Sequence, residues 1–260
     1  MNCKKCRDMI QCFYTEENKM RIPENSFLRR LPVAHRGLHG QFPENSIPAF
    51  RAAAEAGYAI ETDVRLSADG VPVLIHDADT LRMTGTAGKV SDLTLKQLQA
   101  LRLGGSAEHI PALAELVPLL AATGTPLLLE LKDVAPRREL AEKSLALLEG
   151  SGIEFAVQSF DPRILLWVKK LAPHILRGQL GCFYEKFTPK WYVVKHMCLN
   201  FLTEPDFISY RVGDLPFGRA RRKDTLLLCW TVRDEDGLGR AERYADNFIF
   251  ENIRPPRPEK

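Results

Sequence analysis

Acidic, basic and histidine residues in this chain recur where apolar runs stop: His35-Arg36-Gly37, Glu44-Asn45, Glu61-Thr62-Asp63, His76-Asp77 and Glu130-Leu131-Lys132. Side chains at the C-terminal ends of strands can face the mouth of a β/α barrel, where such folds do their chemistry. Three carboxylates, two histidines, an arginine and a lysine delivered this way suit a metal site that handles a phosphate. Glu61, Asp63 and Glu130 supply the oxygen ligands that a hard divalent cation such as Ca²⁺ or Mg²⁺ prefers. Three acids packed together repel unless a cation neutralises them or some stay protonated. Paired histidine or thiolate ligands do not accompany them, which argues against a dedicated zinc site.

The remaining polar residues divide by role. Imidazole titrates near neutrality, so His35 and His76 are candidates for an acid–base pair. Arg36 can hold a phosphate through two nitrogens, and Lys132, two residues beyond Glu130 on the same strand face, adds a point charge. Glu44 can hold Arg36, bind the metal, or simply favour the start of a helix. Trp230, in Cys229-Trp230-Thr231-Val232, is either a core aromatic or a wall of the substrate pocket. His39, His109, His174 and His196 lack such a setting and are read as structural.

Regular elements must position these groups. Leu31–Ala34 reads as a strand ending at His35. Ile47–Ala56 is apolar at helical spacing and stops at Gly57. A strand starting at Tyr58 carries Glu61 and Asp63, whose side chains share one face. Ser67-Ala68-Asp69-Gly70 is a hairpin turn, and Val71–Ile75 runs back antiparallel to end at His76. Equal steps from the turn place His76 beside Asp63. Further strands are predicted at 127–131, 155–158, 175–180, 206–210, 226–232 and 248–250, with helices at 93–101, 112–122, 139–148, 161–171, 190–199 and 237–245. Without the returning hairpin arm, eight parallel candidates remain. That number predicts an α/β fold, a (β/α)8 TIM barrel with a β-hairpin after the second strand. An open doubly wound sheet would usually show a GxGxxG turn after its first strand, and none is present.

The bulk properties agree with a single barrel. The chain has 260 residues, 45% of them hydrophobic and 27% charged, with a net charge of +3. That charge does not point to nucleic acid, although Arg219-Ala220-Arg221-Arg222-Lys223 is a local basic run. Of six cysteines, Cys3, Cys6 and Cys12 cluster near the N-terminus without a second pair at zinc-finger spacing. The pattern does not read as a disulfide scaffold, so a reducing compartment is expected. No signal-like or membrane-spanning apolar run occurs, and a soluble, cytoplasmic protein is expected, with peripheral membrane contact not predicted. Residues 1–30 read as an N-terminal appendage with a short helix near Cys12–Glu17, residues 31–253 as the barrel, and 254–260 as a loose tail. The oligomeric state is not legible.

Together, HRG at 35–37, PEN at 43–45, ETDV at 61–64, an ADG turn before PVLIHD at 72–77, LELK at 129–132 and QSFDP at 158–162 resemble the glycerophosphodiester phosphodiesterase family. Asp92-Leu93-Thr94, Ile110-Pro111 and Trp230-Thr231-Val232 fit the same pattern, and the resemblance spans roughly residues 31–253. It implies a (β/α)8 barrel that hydrolyses a small-molecule glycerophosphodiester to glycerol 3-phosphate and an alcohol, a step in lipid and glycerol metabolism. By matching positions it implies Glu61, Asp63 and Glu130 as ligands of a divalent cation, Ca²⁺ or Mg²⁺. It further implies His35 and His76 as the acid–base pair, Arg36 and Lys132 on phosphate, and Glu44 in support.

This chain departs from the family pattern at Ser46, at Ala78–Met83, at Arg233 after Trp-Thr-Val, and at Phe250-Glu251-Asn252. These changes leave the core chemistry intact and bear on the alcohol-side pocket. Two alternatives stand beside this reading. One is a phospholipase D-like or lyase-type enzyme on lysophospholipids, related to the sphingomyelinase D group, with Phe183-Tyr184, Phe187 and Trp191-Tyr192 as an aromatic lip. The other is a non-catalytic barrel that binds phosphometabolites.

Overall fold

The computed structural model describes residues 22–133, 135–183, 188–218 and 225–256. The N-terminal cysteine cluster and the helix near Cys12–Glu17, the basic run 219–223, Tyr184 and Phe187, the side chain of Trp191, and the tail from 257 lie outside the described residues.

Nine strands form one sheet: β1 (Val33–His35), β2 (Ala59–Leu66), β3 (Pro72–Leu74), β4 (Leu127–Leu131), β5 (Phe155–Ser159), β6 (Arg177–Gly181), β7 (Phe207–Arg211), β8 (Leu226–Val232) and β9 (Asn247–Phe250). Eight pair in parallel in the order β1-β2-β4-β5-β6-β7-β8-β9, and β9 returns to β1, closing the barrel. β3 lies antiparallel on β2, outside the ring. The expected (β/α)8 barrel with its hairpin is therefore present; most strand and helix bounds differ from the expected ones by a residue or two, and the helix expected at 190–199 ends three residues early, at His196.

Period-two alternation explains how the barrel carries a site. The inward faces read Val33 then His35, Ala59 then Glu61 and Asp63, Leu128 then Glu130, Ala156 then Gln158, and Ile249 then Glu251. Each of these strands therefore contributes an apolar residue to a lower interior layer and a polar one above it. The lower layer is a single buried cluster including Val33, Ala59, Leu128, Ala156, Phe207, Leu226 and Ile249. Gly178 makes room within it, because a Cβ there would run into the Phe207 ring. The outward faces, with Ile60, Leu127, Leu129, Val157, Ile208 and Leu227, join the larger cluster under the helices.

The same lower layer takes in Ile22, Phe27 and Leu28. Ser26 caps the helix Phe27–Arg30, Glu154 accepts from the Phe27 amide at 3.1 Å, and Asn247 Nδ2 donates to the Leu28 and Leu31 carbonyls. Among the described residues, barrel packing thus already includes Ile22, ahead of the expected boundary at Leu31. The sparse apolar residues of 22–30 show no periodicity, because they seal one end of the barrel rather than forming a two-faced element.

Between β3 and the helix Leu113–Thr123, short helices at Leu81–Thr84 and Leu95–Ala100 enclose a small core of Val73, Ile75, Val90, Leu98, Leu103 and Ile110. This stretch is too short for a separate cap. No helix among the described residues is long and apolar enough to cross a membrane.

The Gln-Ser-Phe-Asp-Pro motif is chiefly a strand-to-helix joint. Ser159 Oγ donates to the Leu131 carbonyl at 2.7 Å, and Asp161 caps the helix Pro162–Leu171 by accepting from the Arg163 amide at 3.0 Å. Burial alone would raise the Asp161 carboxyl, but Arg163 and Arg137 outweigh it and hold the group below the usual range. A carboxyl lowered on folding stabilises above its unfolded pKa, and that contribution is lost as pH falls. Asp161→Ala is expected to lower unfolding free energy at pH 7 by about 1–2 kcal/mol. Urea titrations of both proteins should show the gap narrowing as pH drops below about 4.

Candidate active site

The turn after β1 carries the first group of site residues. Arg36 and Gly37 adopt left-handed φ of 55° and 79°, and Asn45 one of 55°. This bend turns the Arg36 amide onto Glu61 Oε2 at 3.1 Å, and the Asn45 amide back onto the Arg36 carbonyl at 3.1 Å. Asn45 then donates through Nδ2 to Asp63 Oδ2 at 3.0 Å and accepts from Thr62 Oγ1 at 2.7 Å. Gly37 is required twice over, by its φ and because a Cβ would lie 2.7 Å from the Ala49 carbonyl carbon. The helix Ile47–Glu55 is therefore drawn tight against the turn, with the Leu38 amide donating to Ala49 O at 2.9 Å.

Sheet register gathers the acids. His35 lies beside Glu61, and Asp63 beside Glu130, on neighbouring strands. Glu61, Asp63 and Glu130 are all buried, with ligand oxygens within 4.8 Å of one another. Lys132 Nζ donates to Asp63 Oδ1 at 3.0 Å and to Glu130 Oε1 at 2.7 Å, while Arg36 Nε lies 3.2 Å from Asp63 Oδ2. Burial would raise Asp63, but Lys132 and Arg36 overcome it and hold that carboxyl far below its ordinary range. Glu61 is pushed well up by burial and by the neighbouring Asp63 and Glu130. Burial likewise raises Glu130, partly offset by Lys132. Such a set of oxygen donors, three carboxyls of which burial and repulsion hold two toward the neutral form, suits one hard cation that would let all three ionise.

The hairpin delivers His76 by a route that differs from simple counting. Val64 pairs with Leu74, and the Ile75 amide donates to Asp63 O at 3.1 Å, so Ile75, rather than His76, lies opposite Asp63. β3 ends before His76, and Arg65 clamps the His76 carbonyl through Nε and Nη2 at 2.9 and 2.7 Å. His76 still lines the same pocket as His35.

Each histidine is held in the same way. His76 Nδ1 lies 2.7 Å from Asp77 Oδ1, and Arg82 Nε lies 2.5 Å from Asp77 Oδ2. His35 Nδ1 lies 2.5 Å from Glu251 Oε2, and Arg233 Nε lies 2.5 Å from Glu251 Oε1. A carboxylate on Nδ1 keeps the ring proton there and leaves Nε2 for the pocket. Glu44 accepts from Arg36 at 2.9 Å and from Arg82 at 2.6 Å, joining Arg36 to the His76 chain. Its carboxyl faces strong burial, yet Arg82 and Arg36 keep it lowered and charged.

This framework encloses a cavity of about 160 Å³ lined by His35, Arg36, Glu61, His76, Glu130, Lys132, Gln158, Phe160, Leu180, Trp230 and Arg233, among others. Trp230 is a wall of it, its Nε1 donating to Ser209 O at 3.0 Å and its ring meeting Phe160 edge-on at 5.5 Å. Every site residue expected from sequence except Asp63 and Glu44 lines this cavity, and those two hold its lining in place.

Four further contributors are not evident from sequence reasoning. Arg65 acts across the hairpin on the His76 carbonyl, and Glu251 acts on a partner 216 residues away in the chain. Arg233 stands out in the sequence only as a departure from the family pattern. Gln158 opens the Gln-Ser-Phe-Asp-Pro motif, and its Oε1 is buried without a partner. The period-two rule, extended one step past β9 and along β5, points to Glu251 and Gln158. His109 and His174 pair with surface glutamates, consistent with structural roles.

Residues 35–251 match the sequence model of the glycerophosphoryl diester phosphodiesterase family. A glycerophosphodiester phosphodiesterase of Caldanaerobacter subterraneus subsp. tengcongensis is 32% identical over 221 residues, covering 80% of this chain and 88% of the relative. The structure of an Oleispira antarctica phosphodiesterase in complex with the product sn-glycerol-3-phosphate superposes with a TM-score of 0.73 at 26% identity, over 85% of this chain and 93% of that one. The glycerophosphodiester phosphodiesterase of Thermotoga maritima shares the fold, with a TM-score of 0.67 at 24% identity over 85% and 94% of the two chains.

Gly37→Ala is expected to destabilise the protein by at least about 1–2 kcal/mol, because both φ and the Ala49 backbone oppose it. Gly40→Ala, whose Cβ would meet nothing within 4 Å, is the control. Equal thermal midpoints for the two variants would contradict this account of the turn.

Proposed function

This chain belongs to the glycerophosphoryl diester phosphodiesterase family, and from that premise we propose that its barrel mouth hydrolyses a small-molecule glycerophosphodiester to glycerol 3-phosphate and an alcohol, using one divalent cation and the pair His35 and His76. The observation that carries this reading is the cluster of Glu61, Asp63 and Glu130, two of which, Glu61 and Glu130, line the same cavity as both histidines.

Glu61, Asp63 and Glu130 would hold the cation, Ca²⁺ or Mg²⁺, which when bound polarises a phosphoryl oxygen and steadies developing charge. The chain's own residues do the rest. Arg36 and Lys132 attract and orient the phosphate, each already aimed into the cavity by a carboxylate partner. His35 and His76 exchange protons at Nε2, one taking a proton from the attacking hydroxyl and the other giving one to the departing alcohol. Glu251 and Asp77 orient the two rings and stabilise each while it is charged. Glu44 fixes Arg36. Gln158, Phe160, Leu180, Trp230 and Arg233 surround the space left for glycerol and the alcohol, with Gln158 Oε1 a free acceptor for a hydroxyl. No member of the metal or histidine set is missing, which favours turnover over mere binding. We place the enzyme in the cytoplasm.

The deciding assay is glycerol 3-phosphate release from glycerophosphocholine by EDTA-stripped protein, with Ca²⁺, Mg²⁺ or Mn²⁺ restored singly. Release is expected only with a restored cation; release by fully stripped protein would remove the metal from the mechanism. Glu61→Ala and Asp63→Ala should abolish turnover at saturating metal with little loss of fold, and near wild-type rates in either would overturn the ligand assignment. His76→Ala should lower kcat far more than it raises KM. A pure KM effect would move His76 from proton transfer to substrate binding.

A further inference from the structure

We propose that His35, His39 and Glu251 form a second metal site, for a borderline-soft cation such as Zn²⁺, whose occupation switches the enzyme off. The switch rests on His35 acting as an acid–base group; the metal site does not.

Glu251 Oε2 is the point of convergence. His35 Nδ1 lies 2.5 Å from it and His39 Nε2 3.5 Å, and the three ligand atoms lie within 4.8 Å of one another. The second carboxylate oxygen is occupied by Arg233, which fixes the carboxylate with Oε2 toward both rings. His39 Nε2 is buried and makes no hydrogen bond of good geometry, Glu251 Oε2 at 3.5 Å being the neighbour it faces, although the ring as a whole is partly open. The histidines are spaced His-x-x-x-His, and two imidazoles with one carboxylate are a frequent zinc donor set. A separate cavity of about 120 Å³, lined by Gly37, Leu38, His39, Gly40, Glu251 and Asn252 among others, gives access and room for a further ligand.

This set is chemically distinct from Glu61, Asp63 and Glu130. All-oxygen donors select hard cations, whereas imidazole nitrogens favour zinc and its neighbours. In the sequence no histidine pair accompanies the acids, so zinc is not expected there. In the fold the pair His35 and His39 meets a carboxylate that arrives from the far end of the chain.

Occupation would act through a tautomer. Zn²⁺ on Nδ1 of His35 takes the place of the proton shared with Glu251, and that ring proton passes to Nε2. With Nε2 protonated and Nδ1 bound to metal, the ring no longer accepts a proton from substrate. The proton count of the neutral ring is unchanged.

The test measures binding and turnover separately. Zinc affinity is read by competition with a chromophoric chelator for wild type, His39→Gln and Glu61→Ala, with Mg²⁺ saturating. Visible absorption of the Co²⁺ forms reports nitrogen ligation. Wild type and Glu61→Ala are expected to bind zinc alike, and His39→Gln at least about tenfold more weakly. Zinc should inhibit wild-type turnover in a way that added Mg²⁺ does not relieve. The His39→Gln zinc titration, scaled to its own zinc-free rate, should shift by the same factor. Equal zinc affinity in wild type and His39→Gln overturns the site. Inhibition that Mg²⁺ relieves places zinc in the acidic cluster and overturns the switch. In a protein without phosphodiesterase turnover, the binding measurements alone still establish or overturn the site.

Discussion

The mouth of this barrel is organised around the cost of keeping three carboxylates out of water. Glu61, Asp63 and Glu130 are buried and close, an arrangement that unpaired charges do not tolerate. Lys132 spans two of them from above, and Arg36 reaches the third side of Asp63. The rest of the upper layer follows from holding those two cations in place. Glu44 fixes Arg36, Arg82 fixes Glu44, and Arg82 also fixes Asp77 behind His76. Asp63 is charged under all ordinary conditions, whereas Glu61 and Glu130 are pushed toward protonation by burial and mutual repulsion. The cluster is thus prepared for a hard cation, since binding one relieves the repulsion that the two basic residues leave behind.

Much of this is legible from the sequence for a simple reason. Inward faces that change from apolar to polar along one strand reveal both the strand and its direction. Val33 to His35, Ala59 to Asp63 and Leu128 to Glu130 each do this within a few residues. What is not legible depends on distances along the chain or on where a strand stops. Glu251 lies 216 residues from His35, and no local pattern joins them. The hairpin pairs Leu66 with Pro72 and Val64 with Leu74, which puts Ile75 opposite Asp63 and leaves His76 one residue beyond, where Arg65 holds the chain as it leaves the sheet. Residues 22–30 look detached in the sequence because a stopper needs only a few apolar contacts, here Ile22, Phe27 and Leu28, and no periodicity.

The two histidines arrive from unrelated parts of the fold, a strand end and the tip beyond a hairpin, and yet have matching surroundings. Each has a carboxylate on Nδ1 and an arginine on that carboxylate. The match is not complete. His39 adds a second imidazole to Glu251 only, and the His76 side chain is 36% exposed against 13% for His35. The pair is therefore alike in orientation and unlike in solvation, although burial lowers the pKa of both rings.

The stopper at the other end of the barrel bears on traffic. With Ile22, Phe27 and Leu28 sealed into the lower layer and Phe207 filling the space above Gly178, no path runs along the barrel axis among the described residues. Among the described residues the closed floor leaves the mouth as the way in, and Trp230, Phe160 and Arg233 are among the walls of the cavity there, so a molecule that enters leaves by turning back along the same walls.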